Sequence, residues 1–115
     1  MGPGNVDGVD VGPVITKESK KRIHQIIQQS VEQGAELLLD GRSGIPFIQH
    51  GSVNTQGNYV GPTILHNVST KNVAYTEEIF GPVLVTLCVD SLEEAIKYVA
   101  LYSSVLFTRL FCVVP

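Results

Sequence analysis

Two adjacent carboxylates and an aromatic residue precede a long apolar run, in the segment Glu77-Glu78-Ile79-Phe80-Gly81-Pro82. A carboxylate can accept hydrogen bonds from two hydroxyls at once, because it has two oxygens. The Gly81-Pro82 pair sets the backbone geometry of a turn into the strand that follows, and such loops on a rigid scaffold often form binding sites. The alternative is that both glutamates are solvated turn residues and that Phe80 belongs to the core.

The other residues with chemical potential are interpreted as structural. Cys88 lies inside an apolar run, where we expect a buried thiol without the base, helix N-terminus or cation that activates a nucleophile. The histidines have no metal-ligand spacing and are interpreted as surface residues: His24, His50 and His66. The sequence has neither a GxGxxG nor a GxxxxGK[ST] phosphate-binding motif. No catalytic residue and no metal site is therefore predicted.

Two helices are predicted around these residues. Isoleucines and a valine recur at helical spacing over residues 17–33, after Thr16 as the predicted N-cap and before Gly34, which suits a C-terminal cap. The basic run Lys20-Lys21-Arg22 in this helix is interpreted as a solvated face. Ser91 and Glu94 have capping-box spacing and open a second helix.

Three strands are predicted, over residues 35–39, 59–65 and 83–89. Pro62 should lie at the start or edge of its strand, because proline has no amide to donate. The run Val83–Val89 is almost wholly apolar and should be covered on both faces. Residues 42–58 are expected to form an exposed loop. Strands mixed with helices predict an α/β fold.

Length and composition exclude several classes of protein. The 115 residues allow one domain at most, or part of a larger one, and 43% hydrophobic residues indicate a globular chain. A net charge of −3 argues against nucleic acid as a partner. The apolar tail is interrupted by Arg109 and is shorter than the ~20 residues of a spanning helix, so no membrane partner is predicted. The two cysteines do not form a disulfide framework, which favours a reducing compartment.

The segment Thr76–Val83 resembles a signature of the aldehyde dehydrogenases. Two further stretches, residues 10–16 and 57–65, resemble segments that precede it in that family, and all three occur in family order. The resemblance covers roughly residues 2 to 98. It implies a fragment of the aldehyde dehydrogenase catalytic domain over residues 1–98, followed by a divergent apolar tail over residues 99–115.

The resemblance also implies roles for two residues. Glu78 would accept hydrogen bonds from the ribose hydroxyls beside the nicotinamide of NAD, and Phe80 would pack against the nicotinamide end. The family oxidises aldehydes with NAD through a cysteine nucleophile, and no motif of that nucleophile is found in these residues. The isolated chain is therefore expected to be inactive.

Within the family, the amino-acid sequence of residues 38–42, 57–65 and 75–85 most resembles that of the CoA-acylating methylmalonate-semialdehyde dehydrogenase branch. This implies methylmalonate or malonate semialdehyde and CoA as substrates, a homo-oligomer and a mitochondrial location for a full-length relative. The chain itself shows no targeting signal, so a cytoplasmic location stays open. The alternatives are a non-catalytic chain that assembles with full-length subunits, and a generic small α/β binding domain.

Overall fold

A computed structural model describes residues 1–42, 57–100 and 110–113 of the chain. The helices in these ranges are α1 (Lys17–Glu32), α2 (Val73–Thr76) and α3 (Leu92–Ala100). The strands are β1 (Glu36–Leu39), β2 (Thr63–His66), β3 (Val83–Val89) and β4 (Leu110–Val113). The predicted α/β fold is confirmed. Most of the predicted exposed loop, residues 43–56, lies outside the described residues, as does His50.

The long helix α1 forms where its apolar stripe and its caps predict it. Thr16 Oγ1 accepts a hydrogen bond from the amide of Ser19 at 3.0 Å, which satisfies one of the free amides of the first turn. Gly34 ends the helix with φ at 97°, a left-handed conformation that glycine adopts without strain. The stripe of Ile23 and Ile27 is fully buried against the sheet.

The four strands form one mixed sheet in the order β1-β2-β3-β4. Strand β1 pairs antiparallel with β2, whereas β2 with β3 and β3 with β4 are parallel. The run Val83–Val89 is a strand, as predicted. The second strand begins at Thr63 and not at Tyr59, because Pro62 has no amide hydrogen and the Gly61 amide instead bonds to the Gly41 carbonyl at 3.1 Å. Pro62 therefore lies directly before the strand.

One face of the sheet carries the core. Leu65, Val85 and Leu87 point toward α1 and are buried in one cluster with its isoleucines. Each such side chain contributes roughly 1.5–3 kcal/mol when it is fully buried. Ile79, in the loop before β3, joins the same cluster. The core thus ties the loop that contains the two glutamates to α1.

The opposite face of β3 is not fully covered, so the prediction of a strand covered on both faces is wrong. Cys88 is exposed, and its neighbours on that face are His66 and Thr86. The apolar neighbours Leu87 and Val89 did not indicate the exposure of Cys88, because alternate residues of a strand point to opposite faces of the sheet. His66 is the last residue of β2.

Three further elements differ in their predictability. The capping box is confirmed in part: Ser91 Oγ accepts from the amide of Glu94, while the Glu94 carboxylate accepts from the amide of Asp90. The single-turn helix α2 was not predicted, nor was any strand in the tail that contains β4.

None of the helices in the described ranges has the length and hydropathy that a membrane crossing requires.

Candidate functional site

The segment Glu77–Pro82 connects α2 to β3 at the point where the parallel strands β2 and β3 begin. Pro82 is fixed from the sheet side, since its carbonyl accepts from the amide of Thr63 at 2.9 Å. The amide of Val83 donates to the Gly81 carbonyl at 2.8 Å, which closes a tight turn directly before the strand. The loop is therefore anchored at its carboxyl end by the sheet.

The middle of the loop is anchored by Ile79, which is 6% exposed. Gly81 also lies against α1: a Cβ added there would come within 2.7 Å of Ile23 Cδ1. Glycine therefore allows the loop to approach the helix closely. With Ile79 held in the core, its neighbours Glu78 and Phe80 face away from it.

Phe80 is 74% exposed and its backbone has φ at 55°. A bulky residue with positive φ is unusual and costs about 1–2 kcal/mol. The alternative that Phe80 is a core residue is therefore wrong. An exposed aromatic ring on strained backbone is typical of a ligand contact, because neither the exposure nor the strain stabilises the folded chain.

The two glutamates differ in what they contact. Glu77 forms an ion pair with Arg22 of α1, with Nη2 and Oε2 at 3.0 Å. Residue Glu78 is half-buried, and its carboxylate has no hydrogen bond or ion pair to any residue that the structure describes. Of the pair, Glu78 is therefore the one whose carboxylate no side chain in the described part of the chain engages.

Arg22 is the residue of this site that the sequence did not indicate. Besides its ion pair, it donates to the backbone carbonyls of Glu78 at 2.8 Å and of Ile79 at 3.4 Å. Lys20 donates to the carbonyl of Gly57 at 3.1 Å. The interpretation of the basic run as a solvated face is confirmed in exposure for Lys21 and Arg22, whereas Lys20 is half-buried; the contacts of Lys20 and Arg22 with distant carbonyls were not predicted. Their partners lie 37 to 57 residues away in sequence, so no local pattern could have shown them.

A second polar group lies on the exposed sheet face. His66 Nδ1 is 2.7 Å from Thr86 Oγ1, and His66 Nε2 is 3.9 Å from Cys88 Sγ. The expectation that Cys88 is buried among apolar groups is thus wrong. The pair is longer than an ordinary hydrogen bond to nitrogen or oxygen, so its geometry alone does not indicate an activated thiol.

A third polar group surrounds the end of β1. Asp40 and Arg42 form a 2.7 Å ion pair, and the Arg42 guanidinium lowers the pKa of Asp40 from its usual range. His24 on α1 is half-buried with its Nε2 buried, so its interpretation as a surface residue is wrong. Burial lowers the pKa of His24, and the positive charges of Lys20 and Arg42 lower it further. Among the described residues, no three His, Cys, Asp or Glu side chains are close enough to hold a metal ion.

Comparison with known proteins identifies relatives over most of the chain. A protein of Aedes aegypti, named a probable methylmalonate-semialdehyde/malonate-semialdehyde dehydrogenase (acylating, mitochondrial), is 52% identical over 96 residues, which is 84% of this chain and 18% of that protein. The Bos taurus protein of the same type is 49% identical over 96 residues, 84% of this chain and 17% of its own length. The chain thus spans less than a fifth of these relatives.

Solved structures give the same result. The crystal structure of methylmalonate-semialdehyde dehydrogenase from Oceanimonas doudoroffii matches with a TM-score of 0.76 and 33% identity, covering 88% of this chain and 20% of that one. The Mycobacterium tuberculosis aldehyde dehydrogenase, solved in complex with NAD+, matches with a TM-score of 0.63 and 31% identity over 76% of this chain and 17% of that one.

The described helices and sheet therefore have the arrangement found in a part of those enzymes. The model of the aldehyde dehydrogenase family matches residues 1–102, which is most of the 115-residue sequence. On this match, the chain belongs to the aldehyde dehydrogenase family.

Proposed function

We propose that this chain supplies the nicotinamide side of the NAD site in an enzyme that oxidises an aldehyde and transfers the acyl group to CoA. The observation that carries the proposal is the loop before β3, where Ile79 is buried while Glu78 and Phe80 face outward. The carboxylate of Glu78 has no other partner in the described part of the chain, and the Phe80 ring is exposed. Both side chains are thus available to a ligand.

In this proposal the two residues divide the contact with the cofactor. Glu78 accepts hydrogen bonds from both ribose hydroxyls, because two carboxylate oxygens match two neighbouring donors. Phe80 offers an apolar surface beside the nicotinamide ring and orients it. NAD, when bound, accepts the hydride that leaves the aldehyde. The chain's own residues bind and orient the cofactor and exclude water from one side of it.

The substrates are proposed from the relatives' names. These specify methylmalonate semialdehyde and malonate semialdehyde and describe the enzymes as acylating. CoA as the acyl acceptor is proposed from the resemblance of this sequence to the CoA-acylating branch. The mitochondrial location and a homo-oligomeric assembly of the complete enzyme belong to the same proposal. Residues 1–98 would be the part of the catalytic domain present here, with residues 99–115 as a divergent tail.

A second proposal is that the chain acts without turnover, by assembling with full-length subunits. Large exposed apolar side chains favour it: Leu92 and Ile96 lie one turn apart on α3, and Leu38 lies on the edge strand β1. Exposed apolar surface of this kind is typical of chain segments that pack against further protein. Assembly would be recognised by co-purification with a full-length relative and by a change in that enzyme's activity.

The first proposal is tested in a chimera, made by exchanging a segment of a full-length relative for this chain. The 96 matched residues of the Bos taurus relative are replaced by those of this chain, and NADH formation is measured with malonate semialdehyde and CoA. Glu78→Gln in this chimera should raise the KM for NAD about tenfold, because it removes a charge-assisted hydrogen bond worth roughly 1.5 kcal/mol. The matched control is Glu36→Gln, at an exposed residue of β1, which should leave the KM unchanged.

An active chimera in which Glu78→Gln and Glu36→Gln have the same KM for NAD would contradict the ribose-binding role. The isolated 115-residue chain should form no NADH in the same assay. Turnover by that chain alone would instead require a nucleophile within these residues, and would contradict the proposal that the nucleophile comes from elsewhere.

A further inference from the structure

We infer that Arg22 of α1 is a positioning residue for the cofactor loop, because it fixes the backbone of Glu77–Ile79 and thereby the directions of Glu78 and Phe80. This assignment rests on the proposed function, since Glu78 and Phe80 are the residues that the proposal places against NAD. Arg22 itself need not touch the cofactor. Nothing in the sequence pattern or in the names of the relatives assigns it a role.

The geometry shows three bonds from one guanidinium. Nη2 donates to the Glu78 carbonyl at 2.8 Å and to the Glu77 carboxylate at 3.0 Å, while Nη1 lies 3.4 Å from the Ile79 carbonyl. The two carbonyls belong to the peptide units on either side of the Ile79 α-carbon. Bonding both limits rotation of the backbone between Glu78 and Phe80.

The ion pair alone does not account for this arrangement. The side chains of Arg22 and Glu77 are 45% and 52% exposed, and an ion pair so open to water contributes little to stability. The carbonyl bonds are directional and define where the loop lies relative to α1. Glu77 then orients the guanidinium, which explains why the first of two adjacent glutamates is engaged and the second is left for a ligand.

The backbone of Phe80 gives an independent reason for such a clamp. Its φ of 55° is unfavourable for an aromatic residue, so the loop would relax toward other conformations if nothing held it. Ile79 packing holds it from the core side, and Arg22 holds it from the helix side. A planar fork with several donors is required here, and a lysine ammonium cannot reproduce its geometry.

The direct test measures loop order in the 115-residue chain without any ligand. Amide order parameters from nitrogen relaxation should be near 0.85 at Glu78 and Phe80 in the wild-type chain, and should fall below about 0.7 in Arg22→Gln. Arg22→Lys should give an intermediate decrease. Lys21→Gln, an exposed neighbour on the same helix, is the matched control and should leave the loop unchanged.

The expected ranking of the variants by their effect on the loop allows the result to be interpreted even if one variant loses stability. Arg22→Lys retains the charge, and Glu77→Gln retains both carbonyl bonds, so each should disturb the loop less than Arg22→Gln does. If Arg22→Gln and Arg22→Lys both show wild-type order parameters at Glu78 and Phe80, the positioning role is overturned.

A kinetic test in the chimera connects order to function. Arg22→Gln should raise the KM for NAD about fivefold with kcat within about twofold, and Arg22→Lys should restore part of the affinity. A merely structural role would reduce the yield of folded enzyme and leave the KM unchanged; where Glu78→Gln does raise the KM, an unchanged KM in Arg22→Gln would overturn the inference. If Glu78→Gln has no effect on the KM while the order parameters still fall in Arg22→Gln, the proposed function fails and the positioning of the loop stands.

Discussion

At Phe80 a large side chain is exposed on a backbone that favours glycine, with φ at 55° and 74% of the residue accessible. Both features reduce stability, since an exposed ring forgoes burial and the left-handed backbone is strained. The sequence could identify this residue only through its resemblance to a family signature. Its exposure depends on Ile79 entering the core, which is a tertiary contact.

The strain at Phe80 predicts an unusual stability ranking. Phe80→Gly should be about 0.5–1 kcal/mol more stable than Phe80→Ala, because both remove the ring but only glycine adopts positive φ freely. The measurement is urea unfolding of the two variants. Val6 is an exposed loop residue without positive φ and serves as the control. There the glycine variant should be less stable than the alanine variant, because glycine adds conformational entropy to the unfolded chain. A Phe80→Gly variant less stable than Phe80→Ala would show that the backbone is not strained.

Among the elements, those with a complete local pattern were predictable. Helix α1 has a cap, an apolar stripe and a terminal glycine, and β3 is apolar except for Thr86. Helix α2 was not predictable, because its single turn depends on Asn72. That residue caps the helix and also donates to the Ser30 carbonyl at 3.0 Å, a partner 42 residues earlier. The start of β2 likewise depends on a distant contact between Gly41 and Gly61.

That contact predicts a strong effect of a small substitution. Any Cβ at Gly41 would collide with the Gly61 backbone, which cannot move without disturbing the start of β2. Gly41→Ala should therefore lower the free energy of unfolding by about 2 kcal/mol, within the range for overpacked sites. Urea unfolding measures it, with Gly12→Ala as the control because a Cβ there meets no atom within 4 Å. Equal stabilities of the two variants would mean that the two glycines are not in contact.

Across the whole chain, the described residues bury one face of the sheet and leave several large apolar side chains exposed. Ile15, Leu92 and Ile96 are each more than half exposed. The chain spans less than a fifth of the length of its relatives. In the complete enzyme that we propose, further protein would cover these exposed side chains. We therefore expect marginal stability for these 115 residues alone, which makes small electrostatic terms measurable.

His24 provides such a term. Its Nε2 is buried without a hydrogen-bond partner in the described part of the chain, and burial followed by the charges of Lys20 and Arg42 lowers its pKa, with Asp40 acting in the opposite direction. The unfolded chain, with a histidine pKa near 6.5, therefore binds the proton first as the pH falls. Stability from neutral His24 is fully present above that value and is lost as the pH falls through the lower folded pKa.

The sign of this linkage can be measured directly. Between pH 7.5 and 5.5 the wild-type chain should lose stability in urea unfolding, and His24→Gln should lose less, because glutamine has no proton to bind in either state. Lys20→Gln should also reduce the slope, since it removes one of the charges that oppose protonation. Lys17→Gln, at an exposed lysine on the same helix, serves as the control and should keep the wild-type slope. If His24→Gln loses stability as steeply as the wild type does, the pH dependence originates elsewhere and the buried Nε2 is not its cause.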